Sequence, residues 1–188
     1  MIEQTLVLLK PDAVSRNLIG KIILRFEDTG LKIVAMKMVQ ASKELAEKHY
    51  FLDEEWAKKV FQKNSEVCAK EGRTPRYKTH MELGKTIQSW NMSFLMEGPV
   101  IAFVLEGPHA VEVVRKMVGH TEPKQALPGT IRGDFASLES YAVADKMERV
   151  TRNLIHASDS VENAKREITL WFDNKEMHKY SKELDRHL

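Results

Sequence analysis

The sequence predicts an α+β fold: a βαββαβ core with helices on one face of a mainly antiparallel sheet, plus additional helices and two insertions. Three observations carry this reading. Short apolar runs at residues 5–9 and 100–105 have the length of buried strands. Residues 19–29 and 109–118 repeat apolar side chains at three- and four-residue spacing, as amphipathic helices do. Strand-like and helix-like segments then alternate along a chain of 188 residues, 43% hydrophobic and 30% charged, which suits one domain with a sizeable core and is too apolar for disorder.

Taken in order, residues 5–9 (TLVLL) end at Lys10-Pro11, because proline restricts its predecessor and donates no N–H. Ile19, Ile22, Ile23 and Phe26 share one side of the first helix, which Gly30 stops. Ile33, Ala35, Met38 and Val39 mix alternation with adjacency, as in a half-buried strand, and Ser42 offers an N-cap to a helix running towards Tyr50. After the strand at 100–105, Val111, Val114, Met117 and Val118 mark a helix over 109–118 that Gly119 closes. Residues 119–135 (GHTEPKQALPGTIRGDF) are too long and too rich in glycine and proline for an ordinary connection, so a functional loop is expected. Residues 153–156 give a short last strand. Asp159 and Ser160 open a helix over 161–172, with Glu162 in a capping-box position if Asp159 is the cap. Two stretches exceed this plan: the polar residues 57–90, which hold Cys68, and a helical excursion at 137–151. Both are read as insertions in a single domain spanning 1–188, and the underlying order resembles the ferredoxin-like βαββαβ plan.

Composition excludes several classes. Lys+Arg 29 against Asp+Glu 27 leaves +2, which argues against a nucleic-acid coat or a polybasic membrane binder. Cys68 is the only cysteine, so an intramolecular disulfide and a multi-cysteine zinc site are both ruled out. No apolar run approaches the ~20 residues of a spanning helix. The opening MIEQTLVLLKPD lacks the basic start and cleavage site of a secretory signal, so a cytoplasmic protein is expected. Gly84-Lys85-Thr86 invites a phosphate-loop reading, but Thr79 stands where that motif needs glycine; GxGxxG, HExxH and CxxC are absent.

The densest polar cluster is residues 153–160 (NLIHASDS), followed by Glu167. His156 falls at a strand end and Glu167 about two turns into the next helix. If that helix folds back over the strand, its carboxylate reaches the imidazole and fixes its tautomer. A neutral imidazole is nucleophilic near pH 7 and its phosphoramidate is labile, so such a histidine can pass a phosphoryl group between substrates. Transfer also needs cations for the charge on the equatorial oxygens, and Lys10, Arg115 and Arg132 lie at element ends bordering the irregular loop.

These residues resemble the nucleoside diphosphate kinase family. The similarity runs in order through TLVLLKPD (5–12), GKIILRFEDTG (20–30), His49-Tyr50, GPV (98–100), GHTEP (119–123), PGTIRGDF (128–135), NLIHASDS (153–160) and SVENAKREITLWF (160–172). The resemblance implies a ferredoxin-like core, a nucleotide-bound Mg²⁺ held mainly by the phosphates, and ping-pong transfer of a γ-phosphoryl group from ATP or another NTP to NDPs and dNDPs. His156 matches the phosphorylated nucleophile, Glu167 the orienting carboxylate, Ser158 its hydroxyl partner and Tyr50 the aromatic beside it. Lys10 and Asn153 match the pair on the sugar 3′-hydroxyl and phosphates; Arg115, Thr121 and Arg132 match phosphate-binding positions; Val150 matches the apolar position on one face of the base. The family's Pro-Phe-Phe after His-Tyr is replaced here by FLDEEWAKKVF, leaving Trp56, Phe61 and Trp90 as candidate stacking aromatics, each also suited to a core or interface. A homo-oligomer is implied, a hexamer built as a trimer of dimers being usual, with no membrane and no dedicated nucleic-acid site. Two rivals compete. An RNA-binding sheet shares the βαββαβ plan, but residues 100–105 carry only Phe103 and lack the Lys/Arg-Gly-aromatic opening. A catalytically idle nucleotide sensor of the same fold is disfavoured by the presence of every matched position together.

Overall fold

Strands β1 (Ile2–Leu9), β2 (Lys32–Val39), β3 (Val100–Pro108) and β4 (Ile155–Ala157) form one sheet in the order β2-β3-β1-β4, with every neighbouring pair antiparallel. The computed structural model describes residues 2–70, 72 and 74–182, so Glu71 and Arg73, within the stretch read as the first insertion, lie outside it. Residues 6–9 of β1 are an unbroken apolar run because both faces of the strand are covered there. Val7 and Leu9 point into one core with Phe103 and Leu105, while Leu6 and Leu8 point into another with Ala102 and Val104.

The two crossover helices, α2 (Ile19–Glu27) and α6 (Ala110–Val118), share the first face as expected and bury Ile22, Phe26, Val114 and Val118 there. Phe26 meets Phe103 edge-on at 5.9 Å. The additional helices cover the opposite face: α3 (Lys43–His49), α5 (His80–Met96) and α9 (Val161–Trp171) contribute Ala46, Leu95, Ile168 and Trp171. Among the described residues no helix is long and apolar enough to cross a membrane.

Several local outcomes depart from the sequence reading. Pro11 starts a short helix, α1 (Pro11–Ser15), where its missing N–H would have had no partner anyway. The segment around residues 57–90, read only as a polar insertion, is a helical pair: α4 (Glu54–Lys70) and α5 pack on each other, burying Cys68 and Leu83, and α5 continues into the core through Phe94 and Leu95. The loop over 119–135 contains a further helix, α7 (Ile131–Phe135), whose cap Thr130 accepts from the Gly133 N–H. Gly119, at φ 84°, is required there, since a Cβ on it would lie 2.5 Å from the Thr130 hydroxyl. The excursion at 137–151 is helical as expected, with α8 (Tyr141–Lys146) capped by Ser140. The cap of α9 is Ser160, accepting from Asn163 N–H, so Asp159 lies outside the helix and Glu162 takes no part in a capping box.

Candidate active site

The site begins where β4 returns beside β1. Leu154, fully buried, takes φ 68°, a left-handed conformation that costs a leucine roughly 1–3 kcal/mol. It is held by both ends of its peptide: its N–H donates to Asp12 Oδ2 at 3.0 Å and its carbonyl accepts from Lys10 N–H at 2.8 Å. This kink carries the chain from Asn153 into β4, where His156 pairs with Leu8. Strain of this kind persists only where surrounding bonds over-determine it.

His156 keeps 22% of its side chain exposed, and its Nε2 lies 2.9 Å from Glu167 Oε2. The Ser158 hydroxyl donates to the same oxygen at 2.6 Å and itself accepts from Leu6 N–H. Burial pushes the Glu167 carboxyl up, but His156 beside it, with His49 and the Ser158 hydroxyl, outweighs this and holds it down to about 2. A carboxylate only accepts, so Nε2 of His156 carries the proton and Nδ1 of the neutral ring keeps its lone pair. The ring is therefore held in one tautomer, with a lone pair at Nδ1 that Glu167 does not use.

Behind it, at the end of α3, His49 is 4% exposed, with its ring perpendicular to that of His156 at 4.5 Å. The indole N–H of Trp171 donates to His49 Nδ1 at 3.3 Å. Burial, and then the proximity of His156, hold His49 well below the ordinary histidine range. Tyr50 stacks edge-on against His49 at 4.7 Å, and burial raises its phenol pKa. The Tyr50 hydroxyl and His49 Nε2 are both buried without a hydrogen-bond partner. One atom each from His49, His156 and Glu167 lie within 4.8 Å of one another, a spacing a metal ion could use. The indole N–H on Nδ1 leaves the single proton of neutral His49 on Nε2, so this group does not offer three lone pairs.

The cations differ in environment. Lys10, at the start of α1, is 6% exposed and donates to Asn153 Oδ1 at 2.8 Å; burial, then the charge of Arg132, lowers it to about 8. Asn153 in turn donates to the Thr121 carbonyl at 2.8 Å, which ties the β4 approach to the 119–135 loop. Arg132 lies on α7, 7% exposed, and braces three carbonyls, those of Asn153, Gly119 and Ile155. Burial is the main cause that brings its guanidinium down to about 10, and the charge of Arg115 adds to it. Arg115 is solvent-exposed on the last turn of α6, and the Thr121 side chain is also exposed. Val150 is half-buried and follows Arg149, which forms a two-pronged ion pair with Glu139.

Four residues escaped the sequence reading. Asp12 is a buried clamp on Leu154, His49 and Trp171 back the nucleophile, and Phe51, next to Tyr50, is 71% exposed whereas Trp56, Phe61 and Trp90 are half-buried. Asp12, His49 and Trp171 all lie within quoted segments of similarity, but only the fold shows what each touches.

A half-buried histidine bonded to a buried carboxylate, with buried cations in the same ferredoxin-like fold, is the arrangement of a histidine-dependent phosphotransferase. A family model described as "Nucleoside diphosphate kinase" matches residues 3–90 and 69–177. The nucleoside diphosphate kinase of Pyrobaculum aerophilum is 47% identical over 180 residues, covering 94% of this chain and 98% of its own. That of Pyrococcus horikoshii is 46% identical over 183 residues, 97% of this chain and 93% of its own. The crystal structure of an NDP kinase from P. aerophilum aligns with a TM-score of 0.89 at 45% identity, covering 95% of this chain and 100% of that one. A Borrelia burgdorferi nucleoside-diphosphate kinase, solved as a transition state mimic with bound vanadate and ADP, aligns at 0.79 and 35%, covering 99% of this chain and 96% of that one. The chain belongs to the nucleoside diphosphate kinase family.

Proposed function

We propose that His156 is the residue through which this enzyme, a nucleoside diphosphate kinase, passes the γ-phosphoryl group of ATP or another NTP to NDPs and dNDPs. The observation that carries this is the bond from His156 Nε2 to a Glu167 carboxylate that also accepts from Ser158. It leaves Nδ1 as the free nucleophilic nitrogen. In the first half-reaction the Nδ1 lone pair forms the N–P bond as the bond from phosphorus to the β,γ-bridging oxygen breaks, and the NDP departs with that electron pair. The ring gains positive charge, which the Glu167 carboxylate offsets. A β-phosphate oxygen of a second NDP then takes the phosphoryl group, and the imidazole returns to its starting tautomer.

Lys10, Arg115, Arg132 and Thr121 are proposed to receive the phosphates, with Lys10 and Asn153 on the sugar hydroxyl. Lys10 spends one of its three donors on Asn153, and Arg132 three of its five on carbonyls, so both retain N–H groups for an anion. Tyr50, whose buried hydroxyl lacks a partner, is proposed to donate to a phosphoryl oxygen on His156. Recognition of the sugar rather than of base edges accounts for a broad range of bases. Val150 is assigned to one face of the base, and Phe51 joins Trp56, Phe61 and Trp90 as a platform for the other. Mg²⁺ bound to the nucleotide neutralises phosphate charge when present. Among the described residues, the His/Cys/Asp/Glu group of three close enough to share a metal is His49, His156 and Glu167, an imidazole-rich set unlike the oxygen ligands Mg²⁺ prefers, so the ion is proposed to be held mainly by the nucleotide phosphates. We further propose a cytoplasmic homo-oligomer, a hexamer by family resemblance; exposed Leu127, Leu138 and Met147, with Met36 and Met38 on the edge strand β2, supply apolar surface for it. The helical pair at 54–96 and the 137–151 segment are proposed as additions at the cleft rim or subunit contact that leave the chemistry intact. His156→Ala is expected to lose NTP synthesis from ATP and NDP while remaining folded; wild-type exchange by this variant would overturn the assignment.

A further inference from the structure

Resting on the reading of His156 as nucleophile, we propose that His49 is its positioning residue: held by the indole N–H of Trp171, the His49 ring forms a perpendicular wall that fixes the plane of the His156 imidazole.

The need for such a wall follows from what the Glu167 bond can do. A hydrogen bond at Nε2 fixes the tautomer and one point of the ring. The ring remains free to swing about that point, and the Nδ1 lone pair, which lies in the ring plane, swings with it. Attack on phosphorus requires that lone pair in line with the leaving oxygen, and an ångström of misplacement costs about 10²-fold in rate. A second constraint on the plane is therefore required. Glu167 is itself fixed by Ser158, which leaves His156 the mobile member of the trio.

His49 supplies the constraint by contact. Its ring stands at 80° to that of His156 with centroids 4.5 Å apart, close enough that rotation of either ring meets the other. The wall is itself held from a third direction. Indole nitrogen only donates, so the Trp171 bond at 3.3 Å requires the lone pair of His49 at Nδ1 and its proton at Nε2. Trp171 also stands perpendicular to His49, at 89° and 5.6 Å. The Nε2–H is buried with no hydrogen-bond partner, in a ring that has Tyr50 and His156 edge-on at 4.7 and 4.5 Å between centroids. A chain from Trp171 at the end of α9 through His49 at the end of α3 to His156 on β4 thus sets the nucleophile's plane, and none of its three contacts uses the nucleotide.

The test compares phosphorylation of the holoprotein by ATP in a single turnover with the affinity for ADP, in the parent and in His49→Ala, His49→Phe and Trp171→Phe. Parent protein that forms no phosphohistidine would overturn the functional reading itself, before His49 is at issue. Given a phosphorylated parent, His49→Ala is expected to slow phosphorylation by about 10²-fold with ADP affinity within threefold. His49→Phe, which restores a ring, is expected to recover to within tenfold of the parent, and Trp171→Phe to lose three- to tenfold. Imidazole nitrogen NMR of the parent is expected to show His49 with its proton on Nε2. A His49→Ala rate within threefold of the parent, a loss of rate matched by an equal loss of ADP affinity, or a proton on Nδ1 of His49 would each overturn the proposal. If His49→Ala does not fold, Trp171→Phe decides: a loss of at least threefold at unchanged ADP affinity supports the wall, and a smaller loss rejects it.

Discussion

Around His156 the polar groups are buried and bonded to one another: Lys10 to Asn153, Asn153 to Thr121, Arg132 to three carbonyls, and Ser158 and His156 to one carboxylate oxygen. Along the helical pair at 54–96 the polar ties lie in solvent instead. Arg76 reaches Glu148 of the 137–151 segment at 2.5 Å, with both side chains more than half exposed, and Lys58 pairs with Glu54 and Glu55 on its own helix. The two regions meet where α5 enters the core: Gln88 donates to the Tyr50 carbonyl, and the Lys10 ammonium lies 5.7 Å from the centre of the Phe94 ring. In the first region each polar group is expensive to leave unpaired; in the second, water replaces whatever is removed. The same kinds of side chain therefore carry the chemistry in one place and little energy in the other.

Alanine at Lys10, Arg115 or Arg132 is expected to give the largest effects that sharpen this contrast. Each should cost ~2–4 kcal/mol of transition-state stabilisation, read as a 30- to 1000-fold fall in kcat/KM. Arg132→Ala should also lower Tm, because it strips three buried carbonyls of a donor, whereas Arg115→Ala should not. A fall of less than tenfold for all three would show that the phosphates are held elsewhere.

Glu167→Gln comes next. The carboxyl is held at about 2 in the folded protein against an ordinary 4.5, so its contribution to stability is complete above pH 4.5 and disappears as pH falls through about 2. A difference of this size corresponds to ~3 kcal/mol. Urea melts of wild type and Glu167→Gln should therefore differ most above pH 4.5 and converge towards pH 2; parallel curves over that range would contradict the lowered carboxyl.

Lys10 predicts opposite pH trends for rate and stability. With its folded value near 8 and its ordinary value 10.5, the unfolded chain binds the extra proton between those limits, so Lys10 makes stability rise with pH there. The cation proposed to face the phosphates is lost over the same interval, so kcat/KM should fall above pH 8. A flat rate profile to pH 10 would remove Lys10 from the phosphate site.

How much of this was legible in the sequence depended on how far apart the partners lie. Ile22, Phe26, Val114 and Val118 announce their helices because their spacing is local, and all four are buried. His156 and Glu167 are eleven residues apart across one strand and one helix, so their meeting at 2.9 Å could be anticipated from the element order. Trp171 and His49 are 122 residues apart, and nothing in either neighbourhood points to the other. Residues 57–90 read as polar because α4 turns much of its surface to water, and its sparse buried side chains, Ala57 and Cys68, leave a weak periodicity. In the sequence Arg132 is a candidate phosphate cation in a glycine-rich loop, with nothing nearby to mark it as buried; its burial comes with the distant Asn153 and Ile155 carbonyls that it braces.

The smallest expected effect lies in the solvent-exposed region. Arg76→Ala or Glu148→Ala should change stability by less than ~1 kcal/mol and leave the phosphorylation rate within twofold. Shortening α4 and α5 about residues 72–79, short of Gln88, should likewise preserve phosphorylation in a folded variant of unchanged mass. Loss of phosphorylation in that variant would place a catalytic group in the helical pair and end the distinction between the two regions.

The most direct measurement incubates the protein with ATP labelled at the γ-position, isolates it, and follows the bound label. The account predicts one label per chain, removed by acid and stable to base, mapping to His156, and passing to unlabelled NDP on its addition. Protein that takes up no label, or label that survives acid or maps to Ser158, would contradict it.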